Sequence, residues 1–277
     1  MPRPILITDF SCTPTICGPL LSELWPDESV RPVVLSIPVS AAGSDNHQAW
    51  VKNYQDAHGG EFLRPFIEEH GADPSGLIGL VGFSAGGWGI GQIIKNTGDS
   101  DAVSALYVVD GMHGGWKGAQ PSYAERAKGE TWRVTKVGQH WLDFASSASR
   151  GEKMMIVTHS KILPPTYPGT RETALSLGDS VGAKPIDIDL GIPVAEAIGI
   201  GALFILGVYP PDFPPDDKQA HIYQANECQE AVWRTLLAPW ARGELVFAKG
   251  GGSAKVAAVV GGAIVGFLLH QLWRKAA

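Results

Sequence analysis

Ser84 lies in the stretch LIGLVGFSAGGWGIGQIIK, Leu77 to Lys95, framed as Gly82-Phe83-Ser84-Ala85-Gly86. A serine hydroxyl is a poor nucleophile at neutral pH and needs a base within hydrogen-bond reach, commonly a histidine oriented by a carboxylate. With 34 glycines among 277 residues the pentapeptide alone is a cheap match, so its meaning rests on its flanks. An apolar, strand-like run leads into Ser84 and a glycine-rich, helix-like run leaves it. That is the setting in which a serine is held exposed on a sharp strand-to-helix turn. Gly82 and Gly86 suit such a turn because side chains there would collide with neighbouring backbone, and Gly87, Gly89 and Gly91 would let a helix pack closely on a sheet.

A base and an acid should follow downstream. Of the eight histidines, His221 is best placed. ALFILGVYP (202–210) is the last strand candidate, and DFPPDDKQAHIYQAN reads as a loop before the final amphipathic helix. Asp110 ends the strand-like ALYVVD, which would bring its carboxylate to the same sheet edge as Ser84; an Asp before Gly also suits a turn cap. The run KMMIVTHS ends on His159 and Ser160 with no carboxylate. Asp187, Asp189, Asp216 and Asp217 are the alternatives, and Asp110 is the preferred reading. His113, Trp116, His159 and Ser160 fall at strand ends facing the same cleft, as candidates to bind substrate or support the acid.

Other chemistries find little support. GGWGIG has no Walker lysine and misses the GxGxxG spacing, so no nucleotide cofactor is expected. Cys12, Cys17 and Cys228 have neither metal-ligand spacing nor the number for a disulfide framework, and read as buried thiols. No metal is expected. A net charge of −6 without a long Lys/Arg run argues against a nucleic-acid partner.

The elements that must position these residues alternate. ILIT (5–8), RPVVLSIPV (31–39), LIGLVGF, ALYVVDG, KMMIVTHS and ALFILGVYP are short apolar runs, as buried strands require. Helical spacing appears in TICGPLLSELW (15–25), HGGEFLRPFIEEHG (58–71), GTRETALSLGDSV (169–181) and NECQEAVWRTLLAPWARG (226–243). GIPVAEAIGI (191–200) is ambiguous. The alternation predicts an α/β domain over residues 1–248, a mostly parallel sheet flanked by helices with ligands at the carboxyl ends of its strands. Residues 116–151 are a candidate cap or surface helix pair.

After a glycine-rich linker at 249–255, residues 256–275 predict an apolar helix. From Val256 to Leu269 there is no polar side chain, and extending to Trp273 gives about 18 residues, marginally enough to span a bilayer. Ala258, Gly262 and Gly266 form a small-residue stripe that would admit a partner helix or a second copy of the chain in a homo-oligomer. The amino terminus lacks the basic and apolar regions of a signal peptide. A membrane-associated protein with its catalytic domain in the cytoplasm is therefore expected.

Together these features resemble the α/β-hydrolase superfamily: the Gly82 to Gly86 pentapeptide, then a strand-end acid, then His221 near the closing helix. The resemblance implies a shortened form of that fold, lacking the usual antiparallel edge before ILIT. It implies a serine esterase or lipase-like hydrolase acting on a small-molecule or lipid ester through Ser84, His221 and Asp110. The acid would lie one strand earlier than is commonest in the superfamily. Oxyanion donors would be the N–H of Ala85 and that of Phe10 or Ser11, although Asp9-Phe10 replaces the frequent His-Gly dipeptide. The competing expectation is a catalytically inactive hydrolase-like binding or assembly module tethered by its C-terminal helix.

Overall fold

Apolar runs flanked by turn-forming residues become strands, and the segments between them become helices. The computed structural model describes residues 2–9, 14–38, 44–210, 218–246 and 257–258. In chain order the first half comprises β1 (Ile5–Asp9), α1 (Pro14–Leu24), β2 (Val33–Ser36), α2 (Ser44–Ala57), α3 (Leu63–Glu69), β3 (Ile78–Phe83), α4 (Gly86–Ile93), α5 (Thr97–Ala102) and β4 (Val103–Val109). Then come β5 (Gly115–Trp116), α6 (Tyr123–Ala127), β6 (Thr135–Lys136), α7 (Gln139–Ser149), β7 (Met154–His159) and α8 (Thr170–Ser180). The last elements are β8 (Lys184–Pro185), β9 (Glu196–Ile200), β10 (Leu203–Gly207), α9 (Lys218–Tyr223), β11 (Leu245–Val246) and β12 (Ala257–Ala258).

Among the described residues, eight strands make one sheet in the order β2-β1-β3-β4-β7-β10-β9-β8. The six from β2 to β10 are parallel. Each therefore needs a crossover to reach its neighbour, and helices supply it. Successive side chains on a strand point to opposite faces, and the core divides accordingly. Ile5, Ile7, Leu80, Leu106, Val108, Met155, Val157 and Ile205 pack with Val51, Phe66, Ile90, Phe144 and Leu177 under α2, α3, α4, α7 and α8. Leu6, Val81, Tyr107, Val109, Ile156 and Phe204 pack on the other face with Leu21 of α1 and with Val232, Trp233 and Leu236.

Register brings the carboxyl ends of the central strands level. Asp9 pairs with Gly82, Phe83 with Val109, Val109 with Thr158, and Gly207 with His159. The residues after Phe83 and Val109 are Ser84 and Asp110, so both leave the sheet at one edge.

The structure departs from the sequence expectations at several points along the chain. α2 fills a polar stretch to which no element is assigned in the sequence. The helix expected from His58 begins at Leu63, because Gly59 and Gly60, both at positive φ, end α2 there. The ambiguous GIPVAEAIGI contains a strand, β9, antiparallel to β10 and joined by antiparallel β8, so the sheet is extended beyond β10. His221 sits in the helical turn of α9 rather than in a loop, since KQAHIY suits a helix, and the run continues through α- and π-helical segments to Ala241. Finally, Ala257 and Ala258, expected at the start of the C-terminal helix, are extended and pair with Leu245 and Val246, in keeping with their β-branched valine neighbours. The rest of the 256–275 segment and the 249–255 linker lie outside the described residues. Among those residues no helix is long and apolar enough to cross a membrane.

The candidate cap at 116–151 also divides. Trp141, Phe144, Ala145 and Ala148 bury α7 against the sheet, so α7 is a layer helix and not part of a cap. What projects is the β5–β6 ribbon with α6, and a buried ion pair clamps it to α8. Arg126 donates to Glu172 through Nε (3.1 Å) and Nη2 (2.7 Å) and to the carbonyls of Pro164 and Tyr167. Thr131 Oγ1 and the Gly169 N–H also donate to the Glu172 carboxylate. Burial works to raise the Glu172 pKa, but Arg126, Thr131 and Gly169 hold it below the ordinary value. Arg126→Met should leave that carboxylate buried without a counter-charge and cost about 3–5 kcal/mol of unfolding free energy. Urea unfolding would show it, and Arg126→Met/Glu172→Leu should recover much of the loss.

Candidate active site

Ser84 has φ 53°, in the left-handed region that a residue with a Cβ enters at a cost. Its conformation is fixed from both sides. The Ser84 N–H donates to Val109 O (3.0 Å), and Ser84 O accepts from the Gly87 N–H (3.0 Å) as α4 begins. Two glycines of α4 permit the helix to start so close to the sheet edge. A Cβ on Gly87 would lie 1.9 Å from Gly111 O, and one on Gly89 would lie 1.9 Å from Asp9 Oδ2. Ala85 is the residue from which α4 springs, where helix N–H groups have no intrahelical acceptor.

Asp110 follows β4 with φ 42°, and its N–H donates to Thr158 O (2.9 Å). Its carboxylate is buried and accepts on both oxygens. Oδ1 takes the Ser160 N–H (2.9 Å) and the Thr170 hydroxyl at the start of α8. Oδ2 takes His221 Nδ1 (2.7 Å). The same imidazole reaches Ser84 Oγ through Nε2 at 2.8 Å, and its ring stacks on Phe83 at 4.6 Å. With Nδ1–H donating to a carboxylate, Nε2 is left as the acceptor for the serine proton. Burial works to raise the pKa of Asp110, yet His221, Thr170 and the Ser160 N–H together hold it below the usual carboxylate value. The acid therefore stays ionised at neutral pH. The arrangement can take a proton from Ser84 as its oxygen attacks and can stabilise the imidazolium that results.

The other sequence candidates separate. His113 flanks the site: its ring stacks on Trp88 (5.6 Å, 12°) and meets Tyr167 edge-on (5.5 Å), and burial pushes its pKa down to about 4. Trp116 is not brought to Ser84; its ring lies under the Arg126 guanidinium at 5.1 Å and belongs to the clamp. His159 and Ser160, expected to face the cleft, are fully buried, because β7 runs between two strands and is covered at its end. Ser160 serves the acid through its backbone instead. Asp187 and Asp189 are exposed, and His221 Nδ1 is taken by Asp110, while Phe10, Ser11, Asp216 and Asp217 lie outside the described residues.

Two features had no sequence signal. Thr170 reads only as the first residue of a helix, and nothing local says its hydroxyl reaches a residue 60 positions earlier. Asp9 and His47 are both fully buried and joined Oδ1 to Nδ1 at 2.8 Å, with burial raising the Asp9 pKa against the lowering effect of His47. Their pairing depends on α2, which carries His47 to β1.

A mostly parallel sheet between helix layers, with a strained serine between its third strand and the next helix, is consistent with an α/β-hydrolase fold. No family model and no curated protein matches the chain. Among solved structures it is similar to the lin2722 gene product from Listeria innocua, with 12% identity, 63% of this chain and 78% of that one covered, and a TM-score of 0.36. It is also similar to esterase PE8, with 10% identity, 83% and 92% covered, and a TM-score of 0.35. A third is YbtT, a type II thioesterase from the yersiniabactin NRPS/PKS biosynthetic pathway, with 9% identity, 87% and 92% covered, and a TM-score of 0.32. At such scores the fold reading rests on sheet order and register, not on these likenesses.

Proposed function

We propose that this chain is a serine hydrolase that cleaves a carboxylic ester through an acyl-enzyme. The observation that carries the reading is the continuous relay from Ser84 Oγ through His221 to Asp110, at 2.8 Å and 2.7 Å, on a serine held at positive φ. Ser84 Oγ attacks the ester carbonyl while His221 Nε2 takes its proton. The same imidazole then protonates the departing alcohol, and water repeats the sequence to release the acid and restore Ser84. Negative charge on the tetrahedral oxygen meets the Ala85 N–H at the start of α4, with the N–H of Phe10 or Ser11 as the expected second donor.

A fluorophosphonate probe tests this without knowledge of the substrate. Stoichiometric phosphonylation mapped to Ser84 by peptide mass, together with turnover of p-nitrophenyl acetate, is the expected result. A folded protein that neither labels at Ser84 nor turns the ester over would instead be the inactive binding module.

A further inference from the structure

Beside Ser84 a groove of about 290 Å³ runs between α4, the loop after β4 and the start of α7. Its end nearest the nucleophile is built from Gly87 and Gly111, both packed on the Ser84 backbone: the Gly87 N–H donates to Ser84 O, and a Cβ on Gly111 would lie 2.5 Å from that same oxygen. The walls are apolar, with Trp88 stacked on His113 on one side and Trp141 on the other. Lys95 and Lys136 also line it.

Charge is one-sided here. None of the twelve lining residues is acidic, and six are glycines that leave backbone as wall. Lys95 Nζ donates to the neutral Gln92 side chain (3.1 Å), and among the described residues neither lysine ion-pairs with a carboxylate. Burial pushes the Lys95 pKa down with no acid to offset it. His140, also in the lining, is held at a pKa of about 4 by burial and by the charge of Lys95, so it adds a donor but no charge near neutrality. The carboxylate that acts on His140, Asp143, is exposed and accepts from Gln139 (2.8 Å). Both lysines are exposed at the rim, and cations on the rim of an apolar groove without acids are complementary to one anionic group on an apolar limb.

Resting on the ester-hydrolase reading, we infer that this groove takes the acyl limb of the substrate and that Lys95 and Lys136 bind a carboxylate at its far end. The substrate class is then a hemiester of a medium-length dicarboxylic acid. From Gly87 to Lys95 is eight residues along and just past α4, about 12 Å at the helical rise, which sets the length of limb that reaches from Ser84 to Lys95.

The test compares p-nitrophenyl hemiesters of adipate, suberate and sebacate with p-nitrophenyl esters of the monoacids of equal chain length, at low ionic strength. The readout is the ratio of kcat/KM, anionic over neutral. The ratio should be about tenfold or more for the longer diacids, the size of effect a charge-assisted contact gives. It should fall toward unity in Lys95→Gln/Lys136→Gln, with Ser84 labelling by fluorophosphonate retained to show an intact site. Free suberate should compete with the hemisuberate in the parent protein and not in the variant. A ratio near unity in the parent, or one that the lysine replacements leave in place, overturns the inference. So does free suberate that alters turnover of p-nitrophenyl acetate without competing with the hemiester, because that marks a separate effector site. A protein that labels and turns over neutral esters but shows no anionic preference fails this inference alone; one that never labels fails the ester-hydrolase reading as well.

Discussion

Ser84→Ala and Ser84→Gly are each expected to lower turnover of p-nitrophenyl acetate about a millionfold, the scale on which loss of the nucleophile alone disables a triad. They should differ in stability. Alanine keeps the Cβ at φ 53° and loses only the hydroxyl's hydrogen bond to His221, at a half-buried site, so its urea midpoint should move little. Glycine removes the left-handed penalty and should raise the unfolding free energy by about 1 kcal/mol, less the entropy glycine adds to the unfolded chain. A more stable and inactive glycine variant is the signature of strain kept for function. Retained turnover in either variant would remove Ser84 from the chemistry. An unchanged midpoint in both would mean that the Ser84 N–H to Val109 bond and the Gly87 contact, and not the Cβ, set the energy of this turn.

Period and chain order made much of this legible. Parallel strands buried on both faces have to be continuous apolar runs, and IGLVGF, ALYVV, MMIVT and LFILG are little else; the order in which they end then places Ser84 and Asp110 at one edge. The unread parts share a cause, which is that contact is decided by distant elements. α2 is polar on average, and its stripe of Trp50, Val51 and Tyr54 on the core, with His47 against Asp9, stands out only once the sheet and α3 supply the partners. β9 looked ambiguous because a strand of intermediate burial, next to the two-residue edge strand β8, has no uniform apolar run. His159 and Ser160 were assigned to the cleft on the sound ground that they end a strand. Gln224, Glu196 and Tyr209 cover the first, and the second is buried with its N–H donating to Asp110. The glycines show the same division: close helix packing was legible at Gly87 and Gly89, but the groups that exclude a Cβ there, Gly111 O and Asp9 Oδ2, come from distant parts of the chain.

Asp110→Asn should lower kcat about ten-thousandfold while the protein stays folded, because the amide imposes the wrong imidazole tautomer. The geometry forces this outcome. The Ser160 N–H can only donate, so the oxygen of an asparagine at this position is retained where Oδ1 now sits, and its NH2 replaces Oδ2 against His221 Nδ1. His221 must then accept at Nδ1 and carry its proton on Nε2, facing Ser84 Oγ with a donor where the mechanism needs an acceptor. Backbone strain does not obscure the reading, since Asn tolerates the φ of 42° at least as well as Asp. The exposed Asp187→Asn should leave turnover unchanged; loss there and not at position 110 would reassign the acid. Stability gives an independent check with a definite sign. Asp110 has its folded pKa below the ordinary carboxylate value, so its ionisation stabilises the fold at pH above that of an unfolded aspartate, about 3.9, and the contribution is lost as pH falls through the lowered folded value. Asparagine lacks this linkage. The stability gap between parent and Asp110→Asn, measured by urea unfolding, should therefore be constant from neutral pH down to about 5 and close below about 4. A gap that does not close in acid would mean that the buried carboxylate contributes by shape and not by charge, and the orienting role assigned to it would fall.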